Sequence, residues 1–89
     1  MKNKEYYAKN LRNKLGVFIL NKRLTANLTQ VNLAKQLGIS SPEVSQYETG
    51  ARLPTLIIFF RMIIVFKLSL RDIYEVVTFC KIAQIDIDP

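Results

Sequence analysis

Histidine is absent from the 89-residue sequence, and cysteine occurs once, as Cys80. Without histidine the chain has no His-ligated metal site, no Ser-His or Cys-His nucleophile pair and no imidazole general base. One cysteine excludes an intramolecular disulfide framework and the paired cysteines of a zinc site. The seven carboxylates are scattered along the chain, so we expect no catalytic constellation. The sequence therefore predicts a protein that is not an enzyme and needs no cofactor, metal or small-molecule ligand.

Long hydrophobic runs are missing as well. The longest, from Leu56 to Phe66, has 11 residues and includes Arg61, which is too short for a bilayer span. The N-terminus carries no apolar signal core, so we expect a cytoplasmic protein. An apolar helix can also lie on an anionic lipid surface, but basic residues do not line the polar face of this run. We therefore expect no membrane partner.

The positive charge is concentrated in one part of the chain. Residues 1–54 hold nine Lys and Arg against three Asp and Glu, whereas residues 55–89 hold four of each. A basic half indicates a polyanionic partner, nucleic acid or lipid, although a surface that only aids solubility has the same composition. The hydrophobic fraction of 49% is high for so small a domain, which predicts a partner chain.

Apolar residues recur at helical spacing in five segments, and we predict an all-α fold with a single domain over 1–84 and a tail over 85–89. The first helix covers about 4–24, and a second lies between an N-cap at Thr29 and Gly38. A capping box at Ser40 opens the third, about 41–49. The fourth opens at Pro54-Thr55 and ends near Phe66, and the fifth follows a second capping box at Ser69 and ends near Ala83.

The second and third helices form a compact unit over residues 29–50. Ala34 is small where the two helices cross, and Gly38 permits the positive φ of a tight corner. Such a unit leaves the front of its second helix free to enter a DNA groove. Helical hairpins also occur in purely structural roles, so this geometry alone does not decide the function.

The residues of this unit carry further information. In order and without a gap, the chain has the pattern T-Q-x-x-L-A-x-x-x-G-I-S-x-x-x-V-S-x-Y-E-x-G-x-R-x-P, formed by Thr29, Gln30, Leu33, Ala34, Gly38, Ile39, Ser40, Val44, Ser45, Tyr47, Glu48, Gly50, Arg52 and Pro54. It resembles the phage-repressor (Cro/cI, or XRE) helix-turn-helix family, which includes the controller proteins of restriction–modification systems. The resemblance extends from about Leu15 to Tyr74 and implies a five-helix, lambda-repressor-like DNA-binding domain. The chain departs from the family pattern at three positions. Asn27 and Lys67 replace glycines that commonly end the first and fourth helices, and Asn32 replaces a Glu.

The resemblance implies DNA-contacting roles for two sets of residues. The third helix would read bases in the major groove of double-stranded DNA, with Gln46 suited to adenine because its amide both donates and accepts. The backbone contacts would come from residues beside the phosphates, where Ser40 also serves as a cap. The base set is Ser41, Pro42, Ser45 and Gln46, and the backbone set is Gln30, Ser40, Thr49 and Arg52. Glu43 either completes the capping box or accepts from cytosine.

Arg23 stands seven residues before Gln30, at a position that in the family meets the Glu of the Tyr-Glu pair. We therefore expect a partly buried ion pair between Arg23 and Glu48 that joins the first helix to the third. Because removal of one partner strands the other charge, Arg23→Ala should damage folding and DNA binding together.

The fourth helix is apolar nearly all round, since Ile57, Ile58 and Ile64 stand at outward positions that are polar in the family. We expect the stripe formed by Leu56, Phe59, Ile63 and Phe66 to face the core. The opposite side must be covered by something else, most simply by a second copy in a homodimer that reads an inverted repeat. The helices over 55–83 would form this interface, through Ile57, Phe60, Ile64, Val76 and Phe79.

Two alternatives stay open at this point. The apolar C-terminal half could instead hold a different protein, as in an antitoxin-like interaction module. The basic N-terminus, with Lys2, Lys4 and Lys9, is either a DNA-contacting arm, an extension of the first helix or a disordered end.

Overall fold

The computed structural model describes the backbone of residues 4–87 and the side chains of residues 4–80. Within this range the chain forms α1 (Lys4–Thr25), α2 (Gln30–Leu37), α3 (Ser41–Glu48), α4 (Leu56–Phe66) and α5 (Leu70–Ile87), and the described residues contain no strand. The all-α fold with five helices is confirmed. The last helix runs beyond Ala83 to Ile87, because neither glycine nor proline interrupts the chain before Pro89. Residues 4–10 belong to α1, whereas Lys2 lies outside the described residues.

Helices α2 to α5 begin at side-chain caps. Thr29 and Thr55 each accept a hydrogen bond from the backbone N–H three residues on, at 3.0 Å and 3.2 Å. Ser69 and Asp72 bond each other's backbone N–H groups, at 2.9 Å and 3.1 Å, in a reciprocal capping box. These local bonds satisfy donors that the first turn of a helix leaves without partners.

Helices α1, α2 and α4 end at residues with positive φ. Gly38 closes α2 at φ 72°, and the non-glycine residues Asn27 and Lys67 take φ values of 58° and 53° after α1 and α4. Asn tolerates this left-handed region better than most residues. At both places a residue other than glycine thus takes the left-handed conformation that follows the end of the helix.

The core lies where α1 to α4 meet, with α5 packed along α1. Its buried members come from every one of the first four helices: Leu15, Phe18, Ile19, Leu33, Ala34, Leu37, Val44, Tyr47, Ile58 and Met62. Helix α5 is fixed by two contacts with α1, a salt bridge of 2.9 Å between Lys22 and Asp72 and an edge-to-face pair of Phe18 and Phe79. No helix in the described part of the chain is long and apolar enough to cross a membrane.

The core side of α4 differs from the expected one. Ile58 and Met62 are its buried residues, and Phe59 and Phe66 are partly buried, whereas Leu56 is 67% exposed. The assignment of Leu56 to the core and of Ile58 to the surface was wrong. Leu56 is the first residue of the helix and lies beyond the edge of the core. A segment with apolar residues on every side also carries no polar face from which the buried side can be recognised.

Helices α1 and α3 cross in backbone contact at Gly16. A Cβ atom on Gly16 would lie 2.6 Å from the carbonyl oxygen of Tyr47 and 2.7 Å from that of Glu48. Only a residue without a side chain allows this approach. The crossing fixes the distance between α1 and the C-terminal end of α3.

Candidate nucleic-acid interface

The corner between α2 and α3 is built from backbone and one long side chain. The N–H of Ile39 donates to the carbonyl of Ala34 at 3.0 Å, which continues the C-terminal cap of α2. Arg61 of α4 donates from Nη1 to the carbonyl of Leu37 at 2.8 Å. A Cβ on Gly38 would come within 3.1 Å of the same guanidinium atom. Arg61 therefore ties α4 to the turn, a contact that spacing along the sequence does not reveal.

The third helix presents its two sides differently. Val44 and Tyr47 are 0% and 2% exposed and hold α3 against the core. Pro42 and Gln46 are exposed on the other side. The remaining expected base-contact residues, Ser41 and Ser45, are half-buried. The outer side of α3 thus offers short polar groups, one amide and one proline ring to a partner.

Helix α3 starts from the capping box expected at Ser40 and Glu43. The Glu43 N–H donates to Ser40 Oγ at 3.4 Å, and the Ser40 hydroxyl and backbone N–H donate to Glu43 Oε1 at 3.1 Å and 3.4 Å. The Glu43 carboxylate is therefore occupied by local bonds at the N-terminus of the helix, where negative charge is favourable. This arrangement supports the capping role of Glu43.

The other expected backbone-contact residues lie at the ends of α2 and α3. Thr49 and Arg52 are exposed just beyond α3, and the Thr49 hydroxyl donates to the carbonyl of Gln46 at 3.3 Å. Gln30 is the first residue of α2 and is half-buried. Its amide is not free of the protein, because Nε2 donates to Glu48 Oε1 at 2.9 Å.

The Glu48 carboxylate joins three helices. The Arg23 guanidinium donates to both of its oxygens, from Nε at 2.6 Å and from Nη2 at 3.2 Å, while Gln30 bonds one of them. Arg23 also donates from Nη1 to the carbonyl of Leu28 at 3.0 Å. The structure thus contains the ion pair expected from the sequence, and it adds Gln30 as a third member. Bidentate bonding of this kind is strong and directional.

Tyr47 lies behind the exposed side of α3. Burial raises the pKa of its hydroxyl above the ordinary value of 10.0, the nearby charge of Glu43 raises it further, and Arg52 acts in the opposite direction. The phenol is therefore neutral at physiological pH. A neutral hydroxyl adds no negative charge next to a site that would face phosphates.

Helices α4 and α5 carry an exposed apolar surface. As expected, Ile57, Phe60 and Ile64 are exposed, by 63%, 53% and 76%. Val76 and Phe79 are instead partly buried against the core of the same chain. Among the described side chains of α5, the exposed large apolar residues are instead Leu70, Tyr74 and Val77. We call the set of Ile57, Phe60, Ile64, Leu70, Tyr74 and Val77 the apolar face.

The geometry agrees with a comparison against protein families. Residues 19–73 match a family described as helix-turn-helix, and this span contains the corner at Gly38, the exposed side of α3 and the Arg23–Glu48 pair. A search among curated proteins gives no match. Domains of this family are DNA-binding and regulatory, and are not typically enzymatic. The chain belongs to the XRE-type helix-turn-helix family and is a DNA-binding regulator.

Proposed function

We propose that the protein is a sequence-specific transcriptional regulator that binds inverted-repeat operators as a homodimer, with α3 in the major groove. The observation that carries this proposal is the two-sided character of α3. Its inner side is buried through Val44 and Tyr47, and its outer side exposes Pro42 and Gln46. A helix that follows a tight turn and exposes its outer side in this way can enter the major groove.

Base reading is assigned to Ser41, Pro42, Ser45 and Gln46. The Gln46 amide can accept from N6 and donate to N7 of adenine, a pairing that contributes about 1–3 kcal/mol of discrimination. Serine hydroxyls bond either type of group. Pro42 has no N–H to donate and offers apolar contact, which suits a thymine methyl group.

Contact with the DNA backbone is assigned to Gln30, Ser40, Thr49 and Arg52. An amide nitrogen carries two hydrogens, so Gln30 can keep its bond to Glu48 and donate its second hydrogen to a phosphate. Gln30 also begins α2, where free backbone N–H groups favour an anion. Arg52 is exposed and forms no salt bridge among the residues whose side chains are described, which leaves its guanidinium available for a phosphate.

Dimerisation is assigned to the apolar face. Six large apolar side chains stay in contact with water in one copy, and burial of each contributes roughly 1.5–3 kcal/mol. A second copy is the favoured occupant because a two-fold axis would present two α3 helices about 34 Å apart, one helical turn of DNA. Two such half-sites make an inverted repeat.

The alternative occupant is a different protein, held through the same apolar face as in an antitoxin-like module. Light scattering during size-exclusion chromatography distinguishes the two. A dimer of the purified chain supports the homodimer. A monomer that dimerises only with a foreign protein favours the alternative.

The DNA-binding proposal is tested by selection of bound duplexes from a random pool at two salt concentrations. We expect enrichment of inverted repeats and an affinity that falls with salt by a log–log slope of roughly −0.9 for each phosphate contact. Selected duplexes that share no inverted repeat would contradict the proposal, and so would a protein that binds no DNA at low ionic strength.

A further inference from the structure

The first fifteen of the 22 residues of α1 lie outside the matched residues. Helix α1 starts at Lys4, fifteen residues before the match begins at residue 19. This extension does not project freely into solvent, since it packs against the end of α3.

The contacts between α1 and the end of α3 follow a regular register. Gly16 lies against the carbonyls of Tyr47 and Glu48, and Asn13 lies so close to Gly50 that a Cβ there would come within 2.2 Å of Asn13 Oδ1. Arg12 donates from Nε to the Gly50 carbonyl at 3.1 Å. Residues that lie earlier in α1 therefore contact residues that lie later in the chain, beyond the end of α3.

Lys9 lies in the turn of α1 before Arg12 and Asn13, and residues 51–52 directly follow Gly50, the residue that these two contact. Lys9 precedes Arg12 by three residues and Asn13 by four, so it shares their side of the helix, about 5–6 Å further along its axis. From this order we place Lys9 near the segment that contains Arg52, the clearest candidate for a phosphate contact.

The charges at this place are unbalanced. Glu5 is the nearby carboxylate of α1, and it is already paired with Arg12 at 3.1 Å. Lys9 and Arg52 are exposed, and neither forms an ion pair with any residue whose side chain is described. Lys9, Arg12 and Arg52 thus bring three positive charges to this region against the one negative charge of Glu5, and like charges repel each other unless an anion lies beside them. A phosphate backbone supplies such anions in a row.

We propose that Lys9 forms an additional phosphate-binding site with Arg52, and that α1 thereby extends the DNA contact beyond each half-site. This inference rests on the proposed function, because it presumes that α3 occupies the major groove. Its ligand is the sugar-phosphate backbone at the outer flank of the operator. The contact is independent of sequence, so it strengthens binding without changing base preference.

The test uses the full chain and a selected operator duplex. Lys9→Gln removes the charge from an exposed helical position and keeps a residue of good helix propensity. Lys35→Gln is the matched control, because Lys35 is also exposed but lies in the last turn of α2, at the opposite end from Gln30. Circular dichroism establishes that both variants keep the helical fold.

We expect Lys9→Gln to reduce the magnitude of the log–log salt slope by about 0.9 for each protomer, or about 1.8 for a dimer. Hydroxyl-radical footprints should lose protection at the outer flanks and keep it at the centre. Lys9→Arg should retain the wild-type salt slope and the flank protection. Lys35→Gln should change neither the slope nor the footprint.

The outcomes separate this inference from the function on which it rests. If the wild-type chain binds an inverted repeat but Lys9→Gln has an unchanged salt slope and footprint, the phosphate site is refuted and the function stands. If the wild-type chain binds no DNA, both are refuted.

Discussion

Arg23 in α1 and Glu48 in α3 form a bidentate salt bridge, with a shortest N–O distance of 2.6 Å and side chains only 12% and 4% exposed. It is enclosed more tightly than the Arg12–Glu5 and Lys22–Asp72 pairs. Because Gln30 bonds the same carboxylate, the pair fixes the start of α2 relative to the end of α3. Both proposed DNA-facing ends therefore depend on one buried charge.

Arg23→Ala should lower the free energy of unfolding by about 3 kcal/mol, since it leaves the Glu48 carboxylate buried without its cation. Thermal or urea unfolding measures the change. Lys22→Ala is the control, because it breaks a more exposed pair on the same helix and should cost much less. Wild-type stability in Arg23→Ala would show that the pair does not join α1 to α3.

Gly16→Ala should destabilise the protein, although alanine favours a helix interior more than glycine does. The added Cβ meets two backbone carbonyl oxygens at 2.6 Å and 2.7 Å, and backbone atoms in a packed helix move only at a cost of about 1–3 kcal/mol. Asn21→Ala, at an exposed position of α1, should be neutral or slightly stabilising. An equal increase in stability in both variants would mean that α1 and α3 do not cross closely.

Local features of the fold are predictable from the sequence because their causes lie a few residues apart. The caps at Thr29, Ser40 and Ser69 need only a side chain and an N–H three residues on, and the positive φ at the corner needs only Gly38. Features that need a distant partner give no such signal. The Gly16 crossing depends on carbonyls of another helix, and the Arg61 bond to Leu37 spans 24 residues.

The α4 side chains show a second limit. Every position from Leu56 to Phe60 is apolar. Several different sides of this helix are therefore equally suited to face the core. Tertiary packing selected Ile58 and Met62. The same ambiguity in α5 led to Val76 and Phe79 being expected at an interface, although they face the core of their own chain.

Acid should weaken the attachment of α5 to α1. Hydrogen bonds from the Ser69 backbone and then from Lys22 lower the pKa of Asp72 below its ordinary 3.8. A carboxyl whose pKa is lower in the folded chain stabilises it above the unfolded pKa, and this contribution is lost as the pH falls through the folded pKa. The stability difference between wild type and Asp72→Asn should therefore be largest near neutral pH and shrink below about pH 4. A stability difference that is independent of pH would contradict the prediction.

Phe60→Glu should convert the proposed homodimer to a monomer and keep the fold. Phe60 is 53% exposed in one copy, so a charge there is tolerated in water but is costly once a partner buries it. Light scattering measures the mass, and operator affinity should fall with it because one protomer reads only a half-site. Leu24→Glu is the control, since Leu24 is 55% exposed but lies in α1. If both variants stay dimeric, the subunits meet elsewhere.

Gln46→Ala should relax base preference at one position in each half-site and leave the rest of the selected motif unchanged. The lost pair of hydrogen bonds to adenine corresponds to about 1–3 kcal/mol of discrimination at that position. Selection from a random pool with wild type and variant gives the two motifs for comparison. Gln36→Ala removes the same amide from an exposed position on α2, away from the groove-facing side of α3, and should leave the motif intact. A motif that keeps every position in Gln46→Ala would assign base reading to the shorter side chains of α3, because their hydroxyl groups would then be the hydrogen-bonding groups left on its outer side.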